Sequence, residues 1–329
     1  MKLATLKDGS RDGQLIVVSR DLALAHLASG IATRLQQLLD DWNFIAPQLE
    51  DLSATLNGGK ARHAFAFDPR QCMAPLPRSY QWAVAAGYAS HRARLQRDRD
   101  GSAPTVDART GDAWLGPQDE AFFFDTAAGI DFGAGLAVIT GDIPMGATPE
   151  QALEGVRLLM LVNDWALRES ALAPPASAAS PVAVTPDELG EAWSGGLLQL
   201  PLAVHLNERK LGAPDAGQGM DRGGFGAILS QLARTRALRA GSVVGSGVVS
   251  NADPARGYGC IAEKRAQESA DDGQPRSAYL RFGDRVRIEM KGRDGQSVFG
   301  AIEQAVTGPA AAMAAAEAEA EAAQAPTEA

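Results

Sequence analysis

Apolar positions in this chain mostly fall in short runs bounded by glycine. Runs at 135–140, 199–205, 242–249, 279–282, 285–290 and 297–303 have strand length and end in turn residues. The clearest lies in DFGAGLAVITGD, residues 131–142. There Gly133 and Gly135 lead into Leu136, Ala137, Val138, Ile139 and Thr140, and strand alternation puts both glycines on one face. Two glycines facing the same way predict an empty slot beside the sheet, with a close backbone approach or a bulge as the plainer reading. Near the start, 2–7 and 15–19 read as strands joined by Asp-Gly-Ser-Arg-Asp-Gly. Helical spacing follows at Ile31, Leu35, Leu38 and Leu39, then Ile45, Leu49 and Leu52, and Asn57-Gly58-Gly59 closes it. Thr148 and Pro149 open a helix predicted over 148–162, with Leu153, Val156, Leu159 and Met160 on one face. Another helix is predicted over 225–236.

These elements do not repeat as βαβ units, and the pattern predicts a strand-rich α+β protein. Residues 1–70 read as a small separate N-terminal α/β domain. Pro69, Pro75 and Pro77 mark the entry to a larger domain, 71–306. Residues 307–329 form an Ala/Glu-rich tail without the apolar stripe a docked helix needs, so the tail is expected to be mobile.

The 329 residues are 45% apolar and 22% charged, an ordinary globular balance. A net charge of −9 argues against nucleic acid as the main partner. The one basic run, 91–99, is interrupted by Leu95 and Asp98 and reads as a solvated segment. No apolar run is long enough to span a membrane, and the charged N-terminus does not resemble a signal peptide. Cys72 and Cys260 lie far apart and read as reduced core thiols, which fits a cytoplasmic protein. Val244-Gly245-Ser246-Gly247 lacks the Lys-Ser/Thr and helix start of a phosphate loop. His26, His63 and His205 stand in no motif and read as surface or core histidines.

From about residue 70 to 306 the motifs resemble the fumarylacetoacetate hydrolase family. Tyr80-Gln81-Trp82 precedes His91, and DFGAGLAVITGD and LMLVNDWALRE (159–169) follow. SPVAVTPDELGEAW (180–193), VVGSGVVSN (243–251), GYGCIAEKR (257–265) and FGDRVRIEMKGRDGQSVFGAIEQAV (282–306) complete the order. The resemblance implies a twisted β-roll catalytic domain, pairing of two copies through the β-rolls, and chemistry on β-dicarbonyl acids. It implies carbon–carbon hydrolysis or, in relatives, decarboxylation, hydration or tautomerisation. Mg²⁺, Mn²⁺ or Ca²⁺ would hold the keto-enol oxygens, since hard cations take several oxygen ligands.

The resemblance also assigns positions. His91 stands where the family has its catalytic histidine, Glu263 where a glutamate orients it, and Arg168 where an arginine meets the substrate's negative charge. The four metal-ligand positions fall on Val84, Gly133, Gly135 and Asp164, so one carboxylate remains of four and no cofactor is expected. Ala171 replaces a glutamine, Val248 a threonine, and Pro174 or a gap a lysine, while the lid segment ALAPPASAAS carries no charge. With Tyr80, these substitutions imply a larger and more apolar substrate pocket. Asp164 and Arg168 also have the i,i+4 spacing of a plain helix salt bridge.

Three readings follow. The first is a metal-independent enzyme in which His91, oriented by Glu263, is general base and Arg168 holds a small-molecule acid. The tautomerisation, cyclisation, dehydration or decarboxylation of an enolisable β-keto acid would suit it. The second is a non-catalytic binding or scaffold protein on the same fold. The third is a metal-dependent hydrolase with ligands rebuilt from Asp119, Asp125 or Asp131, of which Asp131 shares the parity of the two glycines.

Overall fold

The computed structural model describes residues 1–95, 105–221 and 223–311. The second half of the basic run, and the tail from 312 on, lie outside the described residues. An 11-stranded sheet forms the spine. Its order runs Phe65–Ala66, Leu24–Leu27, Gln14–Val18, Lys2–Leu6, Ala183–Val184, Val156–Asn163, Ala134–Thr140, Ser242–Val248, Gln81–Ala85, Val106–Arg109, with Ala178–Ala179 paired off this path. The strands of the first 70 residues thus continue the same sheet, through Lys2 opposite Val184 and Leu3 opposite Ala183. Ser242–Val248 and Gln81–Ala85 run parallel. A five-stranded sheet orders Arg209–Gly212, Leu202–Leu206, Arg285–Lys291, Ser297–Thr307 and Ala121–Phe122.

Alternation in the central strands feeds two cores. Leu136 and Val138 join Leu159, Leu161, Val244, Ile288, Phe299 and Ile302 on one face. Ala137 and Ile139 join Leu158, Met160 and Val243 on the other, packed with Leu35, Leu38 and Leu49 from the helices Leu35–Asp40 and Trp42–Asn57. A strand covered on both faces reads as an unbroken apolar run.

That two-sided burial corrects the helix expected over 148–162. The helix begins as the sequence suggests, with a capping box between Thr148 and Gln151, but it spans only Pro149–Glu154. Gly155 ends it, and a Cβ there would lie 2.4 Å from Ile143 Cγ1. Val156–Asn163 is the next central strand. A buried apolar run does not distinguish helix from strand by period alone. The strand expected at 279–282 is also corrected: Leu280 makes only an isolated bridge to Ile130. The helix expected over 225–236 covers Gly224–Leu232.

The helix Ile261–Asp272, unmarked in the sequence reading, is tied down at its far end by Glu268. Partial burial opposes the charge of Glu268. It is outweighed by Ser277 Oγ and the backbone N–H groups of Ser277 and Arg276, which donate at 2.7, 2.7 and 2.8 Å, with Lys264 Nζ at 3.3 Å. Together they hold the carboxyl down to about 2.

Two predictions follow from this architecture. Leu158→Ala and Leu159→Ala, adjacent residues facing opposite cores, should each cost roughly 2–5 kcal/mol in urea unfolding. A near-neutral result at either would contradict the two-sided strand. Glu268 has a folded pKa below the unfolded value of roughly 4.3, so its stabilisation is full above that value and disappears as pH falls toward 2. Glu268→Gln should lower the melting temperature at pH 7, with the gap to wild type closing below pH 4. A gap independent of pH would rule out this role.

Candidate active site

The strand Gln81–Ala85 runs into the short helix Ala89–Arg94, which carries His91. His91 is buried, and its Nδ1 lies 3.0 Å from Oε1 of Glu263, which is wholly buried. The ring N–H does not point along that line, so neither atom has a well-aligned hydrogen bond. The contact orients the ring and leaves Nε2 for chemistry. Arg94 Nη1 stands 3.7 Å from the same oxygen and donates to Ser250 Oγ at 2.9 Å. The remaining Glu263 oxygen accepts from the Gly259 N–H at 3.3 Å.

Glu263 sits in the first turn of Ile261–Asp272, where a negative charge is favoured. The N-cap residue, Cys260, makes no side-chain cap. Asp131 caps the helix instead. Its wholly buried carboxylate accepts from the N–H groups of Ile261 at 2.8 Å, Ala262 at 3.1 Å and Phe132 at 2.9 Å, and from Arg168 Nε at 2.9 Å. Burial works against the charge of Arg168, but Asp131 more than offsets it and keeps the guanidinium above the ordinary arginine range. Asp131 therefore faces the helix start and Arg168. This corrects the expectation, drawn from strand parity, that it points with the glycines as a spare ligand. Asp125 is exposed and accepts from Ala127 N–H, and Asp119 pairs with Lys7.

Asp164 lies in the turn between Val156–Asn163 and Ala166–Leu167, not on a helix, so the i,i+4 ion pair with Arg168 does not form. One Asp164 oxygen accepts from Ser177 Oγ at 2.9 Å, and Ser177 in turn accepts from Trp82 Nε1 at 3.0 Å. The other oxygen faces Arg109 Nη2 at 3.4 Å. Arg109 ends the edge strand Val106–Arg109 and was not singled out in the sequence.

These residues meet at one small cavity of about 80 Å³. Val84, His91, Arg109, Asp164, Arg168 and Val248 all line it, with Arg92 and Asp107. On this measure about 10–15 Å³ holds one water molecule, so the space suits a small ligand. The expected large apolar pocket is corrected: the cavity is small and charged. Tyr80, 73% exposed, lies outside it, in a hollow of about 730 Å³ against Leu35 and Ile45. Ala171 is exposed and also lies outside. That hollow, and another of about 460 Å³ beside Lys2 and Glu188, are larger but contain no histidine.

The slot beside the glycines is closed. A Cβ on Gly133 would stand 2.8 Å from the Asp164 carbonyl oxygen and 3.1 Å from Val248 Cγ2. One on Gly135 would stand 2.6 Å from the Gly247 carbonyl oxygen. Close backbone approach is therefore why glycine stands there. With Val84 apolar and both glycine positions shut, Asp164 is the sole carboxylate of the four expected ligand positions, which does not fit a hard divalent ion. Among the described residues one other group could share an ion: donor atoms of His91, Cys260 and Glu263 lie within 4.8 Å of one another. Burial, with Asp131 and Glu263 nearby, pushes the Cys260 thiol well up, so without an ion it stays protonated.

The family model for the fumarylacetoacetase N-terminal domain 2 matches residues 1–78, and that for the fumarylacetoacetate (FAA) hydrolase C-terminal domain matches 81–307. No curated protein sequence matches the chain. Among solved structures, maleylpyruvate hydrolase from Sphingobium sp. SYK-6, in complex with manganese(II) and pyruvate, is 16% identical with a TM-score of 0.66, covering 94% of this chain and 100% of that one. Fumarylacetoacetate hydrolase from Exiguobacterium antarcticum is 18% identical with a TM-score of 0.65, at 94% and 100% coverage. The 5-carboxymethyl-2-hydroxymuconate delta-isomerase from Mycobacterium smegmatis is 13% identical with a TM-score of 0.60, at 94% and 99%. At these identities the neighbours establish the fold alone, and the matched family models, spanning nearly all of residues 1–307, establish that this chain belongs to the fumarylacetoacetate hydrolase family.

Proposed function

We propose that the chain is an enzyme that moves a proton on a small, enolisable keto acid without a divalent ion at the family's ligand positions. The observation that carries this is the His91 Nδ1 to Glu263 Oε1 contact of 3.0 Å at the wall of a cavity also lined by Arg168. Glu263 holds the imidazole and stabilises the imidazolium that forms when Nε2 takes a proton. Arg168, fixed through Nε by Asp131, keeps its two terminal nitrogens for a carboxylate. A proton removed next to a carbonyl leaves an enolate; returning it to oxygen or to another carbon of the enolate completes a tautomerisation, and returning it to the same carbon is exchange. Carbon–carbon hydrolysis and decarboxylation begin with related charge build-up but need a poised water or a leaving group. The cavity volume favours the smaller task.

A second reading rests on the His91, Cys260 and Glu263 cluster. A thiophilic ion there would take one nitrogen, one sulfur and one oxygen ligand, a set suited to zinc. It would also occupy the base, so the two readings exclude each other.

Two measurements separate them. Deuterium uptake into the methyl group of pyruvate, followed by NMR in D2O, should be accelerated by the wild-type protein. His91→Ala should reduce it by about 10²–10⁴-fold. Unchanged exchange in that variant would overturn the proton-transfer reading. Calorimetric titration of chelator-treated protein should show no saturable Mg²⁺ or Mn²⁺ site up to about 1 mM. One Zn²⁺ per chain, lost in Cys260→Ala, would favour the second reading.

A further inference from the structure

Among the arginines of the cavity wall, Arg109 has the least satisfied guanidinium. Its Nε is buried without a hydrogen-bond partner. Among the described residues Nη1 reaches only the carbonyl of its neighbour Ala108, at 3.5 Å, and Nη2 only Asp164, at 3.4 Å. An arginine carries five N–H donors in a planar fork, and two long contacts leave most of that capacity unused. The other cavity arginines differ. Arg168 is held by Asp131 at 2.9 Å, and Arg92 meets Asp221 at 2.7 and 3.2 Å. Asp164 is itself held more firmly by Ser177, at 2.9 Å, than by Arg109. The Arg109–Asp164 contact thus positions the guanidinium without saturating it.

We propose that Arg109 binds and polarises the substrate's keto oxygen, so that the cavity accepts a planar 1,2-dioxygen dianion: the carboxylate on Arg168 and the enolate oxygen on Arg109. This rests on the proton-transfer reading above and names its substrate class, a small 2-keto acid. His91 Nε2 takes a proton from the carbon next to the keto group, and the C–H electron pair becomes the carbon–carbon double bond. The carbonyl π pair moves onto the oxygen, where Arg109 meets the new negative charge. Proton return from His91 reverses the electron flow, so the step balances without a co-reactant. A guanidinium keeps its charge at any working pH and is worth more in a partly desolvated cavity than in water. Arg109 therefore stands at Asp164, the one carboxylate retained from the expected ligand set, as a fixed cation of the protein's own.

Oxalate is the probe, because its two coplanar carboxylates match the charge and oxygen placement of a 2-keto acid enolate. The full-length protein, treated with chelator and dialysed free of it, is titrated with oxalate by calorimetry without added metal. One site per chain is expected, with at least a 10-fold loss of affinity in Arg109→Met and a smaller loss in Arg109→Lys. Arg293→Met, at a distant exposed ion pair, controls for a general charge effect and should leave binding unchanged. Melting curves confirm that each variant is folded. Absent binding, binding that needs Mg²⁺, or equal affinity in Arg109→Met would each overturn the proposal. Its failure is distinguishable from that of the proton-transfer reading. Arg109-dependent oxalate binding without pyruvate exchange removes the chemistry but keeps the anion site. His91-dependent exchange with Arg109-independent oxalate binding removes Arg109 but keeps the chemistry.

Discussion

The carboxylate of Asp131 holds the cavity wall together. It accepts from three backbone N–H groups and from Arg168, and it is wholly buried. A buried carboxylate is tolerated only when its lone pairs are met, and these four donors meet them. Two of the donors are the first N–H groups of the helix that carries Glu263. The same ion therefore sets both the start of that helix and the reach of the arginine. Glu263 and Arg168 come from segments about 95 residues apart in the chain, and one shared acceptor fixes their separation. His91 arrives from a third segment and is fixed relative to them by Glu263.

The glycines at 133 and 135 show how a backbone can decide the chemistry around it. The backbone at these two positions, just before and within the strand Ala134–Thr140, is pressed against the Asp164 carbonyl and against Gly247 and Val248 so closely that any side chain would force a shift. Asn163 contributes to the same closure by accepting from the Gly133 N–H at 3.1 Å, while its amide nitrogen donates to Gln304. Charge in the cavity therefore comes from elements flanking this strand, in Arg92, Asp107, Arg109, Asp164 and Arg168, and not from the strand itself.

Much of the fold was legible in the sequence. The 135–140 strand, the turn-linked N-terminal strands and the Thr148–Pro149 helix start each follow from local chemistry that operates in place. Val156–Asn163 was not legible, because a strand buried on both faces carries no period that separates it from a buried helix. Of the site, the family motifs led to His91, Glu263 and Arg168, whose spatial grouping the structure supplies. Arg109 gave no signal: it stands in TVDARTG, a polar stretch with no motif, and its place depends on the edge-strand pairing of Val84 with Asp107. The role of Asp131 was hidden for a related reason. Strand parity describes where a side chain leaves the backbone, whereas a helix arriving from residue 261 decides what it meets. Tyr80 and Ala171 were misplaced because proximity in sequence to a motif does not carry a side chain into a cavity.

The sheet's pairing order has a consequence for the growing chain. Lys2–Leu6 finds its inner neighbour only in Ala183–Val184, and Gln81–Ala85 waits for Ser242–Val248 to lie parallel beside it. Both pairings close loops of well over 100 residues, so the entropy of closure is spent before these contacts repay it. During synthesis the hairpin of Lys2–Leu6 and Gln14–Val18 emerges with one unpaired edge, and that edge stays open until Ala183–Val184 has been made. An early, sticky strand that must wait for a late partner makes folding slow and gives chaperones a defined segment to shield.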